Sequence, residues 1–172
     1  MLDSRGFNLF MAFVCYQLLV TAYYFQFVEN MEPCPLCIFQ RIGVLAVGIW
    51  FLVRGIHNPR LGSRWIIVYS VLGLISAILG GAVSARHVYL QNLPESEVPA
   101  CGPALDYLME VLPVNEVIST VLAGDGECAK VSWSFLGISM PAWVLIFFVF
   151  VAVLMIRNIY RHLKPNKHIF SR

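Results

Sequence analysis

Apolar residues run along the chain in four long stretches, separated by short polar and charged segments. The stretches cover about residues 9–28, 36–53, 65–83 and 138–156. A helix needs about 20 predominantly apolar residues to cross the hydrocarbon core of a bilayer. The pattern therefore predicts an all-α membrane protein, a bundle of four transmembrane helices forming a single integral membrane domain over residues 1–172.

Composition excludes an ordinary water-soluble domain. Hydrophobic residues make up 59% of the chain and charged residues only 13%, whereas a soluble domain carries about 25% charged residues.

The first stretch is longer than the apolar core of a signal peptide, and no small-x-small cleavage site follows Val28. We therefore expect it to be a retained membrane anchor.

The charged residues divide sharply between the two sides that four spans create. One side holds both termini, the single acid Asp3 and nine of the twelve basic residues, namely Arg5, Arg54, Arg60, Arg64, Arg157, Arg161, Lys164, Lys167 and Arg172. The other nine acids lie on the opposite side with Arg86 and Lys130. The positive-inside rule makes the basic side cytoplasmic. The basic tail follows a span directly, which favours contact with membrane lipid over nucleic acid.

Two outer connections are predicted, at about residues 29–35 and 86–137. Within the longer one, apolar residues recur at helical spacing from Val114 to Leu122 and end at Gly124. A shorter apolar pattern occupies residues 105–112 and stops at Pro113. We expect short amphipathic helices here, either on the outer membrane surface or packed against the bundle.

Four of the five cysteines lie on the outer side, where an oxidising compartment favours disulfides. Cys34 and Cys37 form a C-x-x-C pair at the mouth of the second span, while Cys101 and Cys128 lie in the long connection. Two such pairs on one face can exchange by thiolate attack. Cys15 lies within the first span, where we expect a small buried apolar residue without a chemical role.

The C-x-x-C pair is placed at the start of a helix. If Pro35 takes the first helical position, Cys34 is the cap, and the positive end of the helix dipole favours the thiolate of Cys37. Arg41 follows four residues later on the same face. A charge inside a membrane costs at least about 2.5–3.5 kcal/mol at a helix centre. Arg41 either extends to the outer headgroups or stabilises an anion such as the Cys37 thiolate.

Two other uses of the cysteines compete with redox exchange. Four cysteines can form a tetrahedral zinc site, although Cys101 and Cys128 are widely spaced and the compartment favours disulfides. Purely structural disulfides are the second alternative, but they leave Arg41 unexplained. We favour redox exchange and expect no metal.

These features resemble the bacterial disulfide bond formation protein B family, DsbB, over essentially the whole chain. The resemblance rests on the four spans, the Cys34–Cys37 pair followed by Arg41, and the outer pair Cys101 and Cys128. Two further strings carry it, His87-Val88-Tyr89-Leu90-Gln91 and Phe135-Leu136-Gly137-Ile138-Ser139-Met140-Pro141-Ala142-Trp143. The sequence departs from some members at Gln40, where they have an acid, and at Arg86.

The resemblance implies an enzyme of the bacterial inner membrane, a thiol:quinone oxidoreductase with its cysteine pairs on the periplasmic side. It implies a periplasmic DsbA-like partner with a thioredoxin fold and a ubiquinone or menaquinone cofactor. A path from DsbA through DsbB to quinone keeps the bacterial periplasm oxidising. A sister branch of the family serves a dedicated partner oxidase, and the sequence does not separate the two branches.

The resemblance also implies a role for each site residue. The reduced partner would attack Cys101 and release Cys128, which would exchange with Cys34 and leave Cys37 as the thiolate facing the quinone. Arg41 would stabilise the negative charge that develops there. His87 resembles the quinone-side histidine of the family, although an ordinary histidine at the membrane interface fits its position as well.

Overall fold

Four long helices dominate the computed structural model, which describes residues 3–97, 105–124, 126–129 and 133–163. They are α1 (Arg5–Phe27), α2 (Pro35–His57), α3 (Arg64–Gln91) and α7 (Met140–Leu163). Each is long and apolar enough to cross a membrane. The predicted all-α architecture with four spans is confirmed.

The helices do not end where the predicted spans end, and two of these differences bear on the outer side of the protein. Helix α3 continues to Gln91, so the long connection begins beyond Arg86, because residues 84–91 contain neither glycine nor proline to stop the helix. Helix α7 begins at Met140 rather than at 138. The two preceding residues instead form β2 (Ile138–Ser139), which pairs antiparallel with β1 (Ser134–Phe135).

Short helices occupy the described parts of the long connection, as predicted. They are α4 (Leu105–Val111), α5 (Val114–Ala123) and α6 (Gly126–Ala129), and a 3-10 turn spans Glu95–Glu97. Val117 and Val121 of α5 are buried in a cluster with side chains of α2 and α3. Ile118 and Leu122 on the other face are 41% and 40% exposed. Helix α5 therefore packs against the bundle.

In the bundle, α1 packs on α2, α2 on α3, and α3 on α7. Residues from all four helices form the main core, namely Met11, Cys15, Val44, Val47, Phe51, Ala77, Phe148, Val151 and Met155. Cys15 is 1% exposed in this core, in agreement with the predicted apolar role. Helices α2 and α3 thus form the central pair, with α1 packed on α2 and α7 packed on α3.

Small residues allow α2, α3 and α7 to approach closely. A Cβ on Gly80 would lie 2.3 Å from Cζ of Phe148, and a Cβ on Gly43 would lie 2.9 Å from the same atom. The Gly43 position is also only 3.1 Å from Cα of Gly80. Close helix packing of this kind is typical of membrane bundles, and here it makes room for the Phe148 ring.

A buried arginine joins the helices at the end of the bundle opposite the C-x-x-C pair. The apolar pattern predicts a span that ends at residue 53 and a connection that begins at Arg54, but Arg54 lies in α2 with 3% exposure. Its guanidinium donates to Ser70 Oγ at 3.0 Å, Asp3 Oδ1 at 3.2 Å and Asn158 Oδ1 at 3.3 Å. Charge alone assigned Arg54 to the loop, and these three oxygen acceptors explain how it is buried.

Asp3 precedes α1 and also accepts from His162 Nε2 at 3.1 Å. Burial raises the pKa of the Asp3 carboxyl, but the hydrogen bonds from His162 and Asn158 and the charges of His162 and Arg54 lower it more. The net result is a pKa below the ordinary value of 3.8, so the ionised carboxylate is the form that the folded protein stabilises.

Candidate functional site

The C-x-x-C pair is built into the first turn of α2. Cys34 is the N-cap, with extended backbone, and Pro35 takes the first helical position, as the sequence predicted. The Cys34 Sγ accepts a hydrogen bond from the backbone N–H of Cys37 at 3.4 Å. The two sulfur atoms lie 3.1 Å apart. The capping geometry therefore holds both sulfurs together at a helix start, where unpaired N–H groups favour negative charge.

His87 of α3 lies against both sulfurs. Its Nε2 is 3.8 Å from the Sγ of Cys34, and its Nδ1 is 4.0 Å from the Sγ of Cys37. The imidazole is only 2% exposed. His87 does not line the cavity described below, and the cysteine sulfurs are among its neighbours.

Cys128 brings a third sulfur to the pair. It is 1% exposed, packs in the cluster that includes Cys34, and is hydrogen-bonded to the Cys34 thiol. That bond lowers the pKa of Cys34, but the hydrogen bond with Cys37, burial and the charge of Cys37 raise it further, to about 12. Cys34 lies just outside the spanning helix and keeps its proton when the pair is reduced.

Arg41 lies one turn below Cys37 and reaches across to α1. Its guanidinium donates to Gln26 Oε1 and, at 3.2 Å, to the carbonyl oxygen of Ala22. It also lies 5.2 Å from the ring centroid of Tyr23. Among the described residues, no carboxylate forms an ion pair with it. The positive charge of Arg41 is therefore solvated by neutral groups and remains available to an anion.

A partly open cavity of about 630 Å³ lies between α1 and α7, with α2 at its back. Most of its wall is apolar, and Phe25, Trp133 and Trp143 contribute aromatic rings. Cys37, Gln40, and Arg41 supply most of the polar groups in the wall. Gln40 is 5% exposed and its Nε2 has no hydrogen-bond partner among the described residues. The cavity thus offers an apolar slot with a thiol, an amide and a cation on one side.

The family model of disulfide bond formation protein DsbB matches residues 4–157 of this chain. The chain belongs to the DsbB family. Similar proteins include disulfide bond formation protein B of Nitrosococcus oceani, 49% identical over 142 residues that cover 83% of each chain. The protein of the same name from Methylococcus capsulatus is 52% identical over 135 residues, 78% of this chain and 81% of that one. The one from Marinobacter nauticus is 45% identical over 159 residues, 92% of this chain and 93% of that one.

Membership defines the broad function of this DsbB-family chain. It is a multi-pass membrane protein of disulfide bond formation, and its family is one of disulfide-generating oxidoreductases. The predicted family and fold are confirmed.

The structure brings together most of the site residues that the sequence singled out in this DsbB-family protein. Cys34, Cys37, Cys128 and His87 form one cluster, and Arg41 lies in the cavity wall beside Cys37. Cys101 lies outside the described residues.

Sequence reasoning missed the partner of Arg41 and undervalued Gln40. Gln26 is a polar residue in the last turn of an apolar span, and the short connection to α2 brings it beside Arg41. That combination was the available signal. Gln40 was noted only as a departure from the family, whereas it lines the cavity together with Cys37 and Arg41.

A metal ion is the other ligand for which this DsbB-family site has donor atoms. Ligand atoms of Cys34, Cys37 and His87 all lie within 4.8 Å of one another. Two thiolates and an imidazole are typical zinc ligands. These residues offer such a set only when both cysteines are reduced, since a disulfide removes two of the donors.

Proposed function

We propose that this protein is a thiol:quinone oxidoreductase that reoxidises a periplasmic DsbA-like dithiol protein and passes the electrons to ubiquinone or menaquinone. The observation that carries the proposal is the apolar cavity whose wall contains both Cys37 and Arg41. A redox-active thiol at the wall of a slot between two membrane helices suits an acceptor that is dissolved in the membrane.

The relay runs through the sulfurs. The partner's dithiol attacks the Cys101–Cys128 disulfide, so the partner becomes oxidised and these two cysteines become reduced. Cys128 then attacks Cys34, forming the Cys128–Cys34 bond and breaking the Cys34–Cys37 bond, with Cys37 leaving as the thiolate. Attack of Cys101 on Cys128 restores the outer disulfide and leaves Cys34 and Cys37 reduced. The hydrogen bond between Cys128 and Cys34 supports the middle step.

His87 is placed to manage the protons of this exchange. An imidazole within about 4 Å of two sulfurs can accept the proton of one thiol and donate to the thiolate of the other. The resemblance implied a role toward the quinone. The contacts of His87 support a role at the cysteine pair instead.

The cavity residues fit a quinone. The apolar wall accommodates the ring and the start of an isoprenoid chain, and Arg41 and Gln40 can donate hydrogen bonds to its carbonyl oxygens. When bound, a quinone accepts two electrons and two protons, the number released when two thiols become a disulfide. Arg41 would stabilise negative charge that develops next to Cys37. Its effect is strengthened because the rest of the cavity wall is apolar.

Sidedness follows from charge. The excess of basic residues on the loop between α2 and α3 and on the tail supports a cytoplasmic location for both termini. The cysteine cluster lies at the other end of the helices, which is then periplasmic. An oxidising compartment is the one in which such pairs persist as disulfides.

The deciding experiment mixes the purified protein in detergent with a reduced thioredoxin-fold dithiol oxidase and a short-chain ubiquinone. Quinone absorbance and partner thiols are followed together. We expect equal losses of quinone and dithiol, abolished by Cys37→Ser and retained in the matched control Cys15→Ser, since Cys15 is buried in the core. Thiol loss without quinone loss would refute the quinone as acceptor.

Two further measurements separate the alternatives. Trapping a mixed disulfide between the partner and Cys101 in a Cys128→Ser variant would contradict purely structural disulfides. Metal analysis of the reduced protein tests the Cys34, Cys37 and His87 set. A stoichiometric ion accompanied by absent turnover would favour a metal-handling protein instead.

A further inference from the structure

A side chain at the outer end of α3 forms hydrogen bonds with the C-terminal end of α5. Arg86 Nε donates to the carbonyl oxygen of Leu122 at 3.0 Å, and Arg86 Nη2 donates to that of Ala123 at 2.9 Å. The last four carbonyls of a helix have no partner within the helix, and they form the negative end of its dipole. A guanidinium is suited to both properties, since its donors form a planar fork.

Each of these four carbonyl oxygens accepts a hydrogen bond. The other two, those of Thr120 and Val121, accept from the backbone N–H of Gly124 at 3.3 and 3.1 Å. The α5 terminus therefore depends on one side chain from another helix for half of its acceptors. The ring of Tyr89, whose centroid is 5.3 Å from the Arg86 guanidinium carbon, helps to orient that side chain.

Gly124, the residue after α5, lies against α3. Gly124 has a positive φ of 79°, and a Cβ there would lie 2.2 Å from Cδ1 of Leu90. Helix α6 begins at Gly126 and contains Cys128, four residues after Gly124. Both Leu90 and Cys128 belong to the same buried cluster. The position of the α5 terminus therefore sets where Cys128 lies.

Arg86 is also the neighbour of His87 in sequence. Adjacent residues of α3 thus place the imidazole against Cys34 and Cys37 and bind the end of α5, the helix that precedes the one carrying Cys128. We propose that Arg86 is a positioning residue that anchors the end of α5 on α3 and thereby holds the Cys128 thiol next to Cys34. Its importance for turnover rests on the proposed relay, but its effect on the two sulfurs does not.

The test measures how readily Cys34 and Cys128 join. In a Cys37→Ser, Cys101→Ser background, the full-length protein is equilibrated with glutathione and glutathione disulfide. Glutathione disulfide oxidises the two thiols to one protein disulfide and is reduced to two glutathione molecules. Peptide mass spectrometry measures the Cys34–Cys128 fraction. Arg86→Gln should lower the effective concentration of the two thiols about five- to thirtyfold, as expected for two lost charged hydrogen bonds at a partly exposed site.

Controls separate positioning from general damage. Arg64→Gln makes the same change at the other end of α3, where Arg64 is exposed, and should leave the effective concentration unchanged. Arg86→Lys keeps the charge and should recover part of the loss. An Arg86→Gln protein with unaltered Cys34–Cys128 pairing would overturn the proposal, as would an equal loss in Arg64→Gln. Because no quinone or partner is present, failure here is distinct from failure of the proposed relay.

Discussion

Replacing Gly124 with alanine tests the geometry that places Cys128. Its φ of 79° with a ψ of 167° lies in a region that is essentially restricted to glycine, so a side chain costs about 1–3 kcal/mol. The new Cβ would also meet Cδ1 of Leu90 at 2.2 Å. Leu90 is fully buried, so this overlap adds about 1–3 kcal/mol. Together they predict that Gly124→Ala destabilises the α5–α6 segment by about 2–6 kcal/mol.

The assay is the alkylation rate of Cys128 in the reduced protein, resolved from the other cysteines by peptide mass spectrometry. Cys128 is 1% exposed, so alkylation requires local opening. If Gly124→Ala lowers the free energy of local opening by about 2 kcal/mol, the alkylation rate of Cys128 should be about 30-fold higher than in the unsubstituted protein. In a Leu90→Ala background the effect of Gly124→Ala should be smaller by about 1–3 kcal/mol, because the overlap is gone.

A matched control is available at Gly62. It also has a positive φ, 88°, but a Cβ there would have nothing within 4 Å. Gly62→Ala carries a backbone penalty alone, at the opposite end of the bundle, and should leave Cys128 protected. Native protection of Cys128 in Gly124→Ala would refute the reasoning. If Gly124→Ala has the same effect on the alkylation rate with Leu90 present or in the Leu90→Ala background, contact with the Leu90 side chain does not contribute to the destabilisation.

Three other predictions concern the cavity, the core and the Asp3 network. Arg41→Ala should raise the KM for a quinone analogue about tenfold or more, while the cysteines still form disulfides. Gly80→Ala should destabilise the bundle by about 1–3 kcal/mol through overlap with Phe148, lowering the Tm in detergent. Gly81→Ala, whose Cβ would meet Phe148 at an ordinary 3.5 Å, should change the Tm little. Because the pKa of Asp3 is below 3.8 in the folded protein, its stabilisation is present above about pH 4 and lost as the pH falls through the folded value. Asp3→Asn should remove this part of the acid dependence of the Tm.

The spans and the helix caps could be predicted because they depend on local sequence. Twenty apolar residues identify a membrane helix, and Pro35 after Cys34 marks a helix start. The continuation of α3 to Gln91 was missed, since hydropathy reports where the membrane ends and not where the helix ends. The β1–β2 hairpin was missed because its strands have only two residues each, too few for any periodicity.

The site was only partly predictable, because its chemistry is local and its environment is not. The C-x-x-C spacing and Arg41 are visible along one helix. The cavity is not visible, since its walls come from α1, α2 and α7. The place of Arg54 inside α2 was missed for the same reason, because its acceptors Ser70 and Asn158 belong to other helices.

The acceptors of Arg54 also bear on how the chain assembles in the membrane. They come from the segment before α1, from α3 and from α7, so the set is complete only after the last helix has inserted. Until then the guanidinium lacks the acceptor on Asn158, and burying a charged group without a full set of hydrogen-bond partners is costly. A chain truncated after α3 therefore lacks Asn158 and leaves the Arg54 guanidinium without one of its three oxygen acceptors.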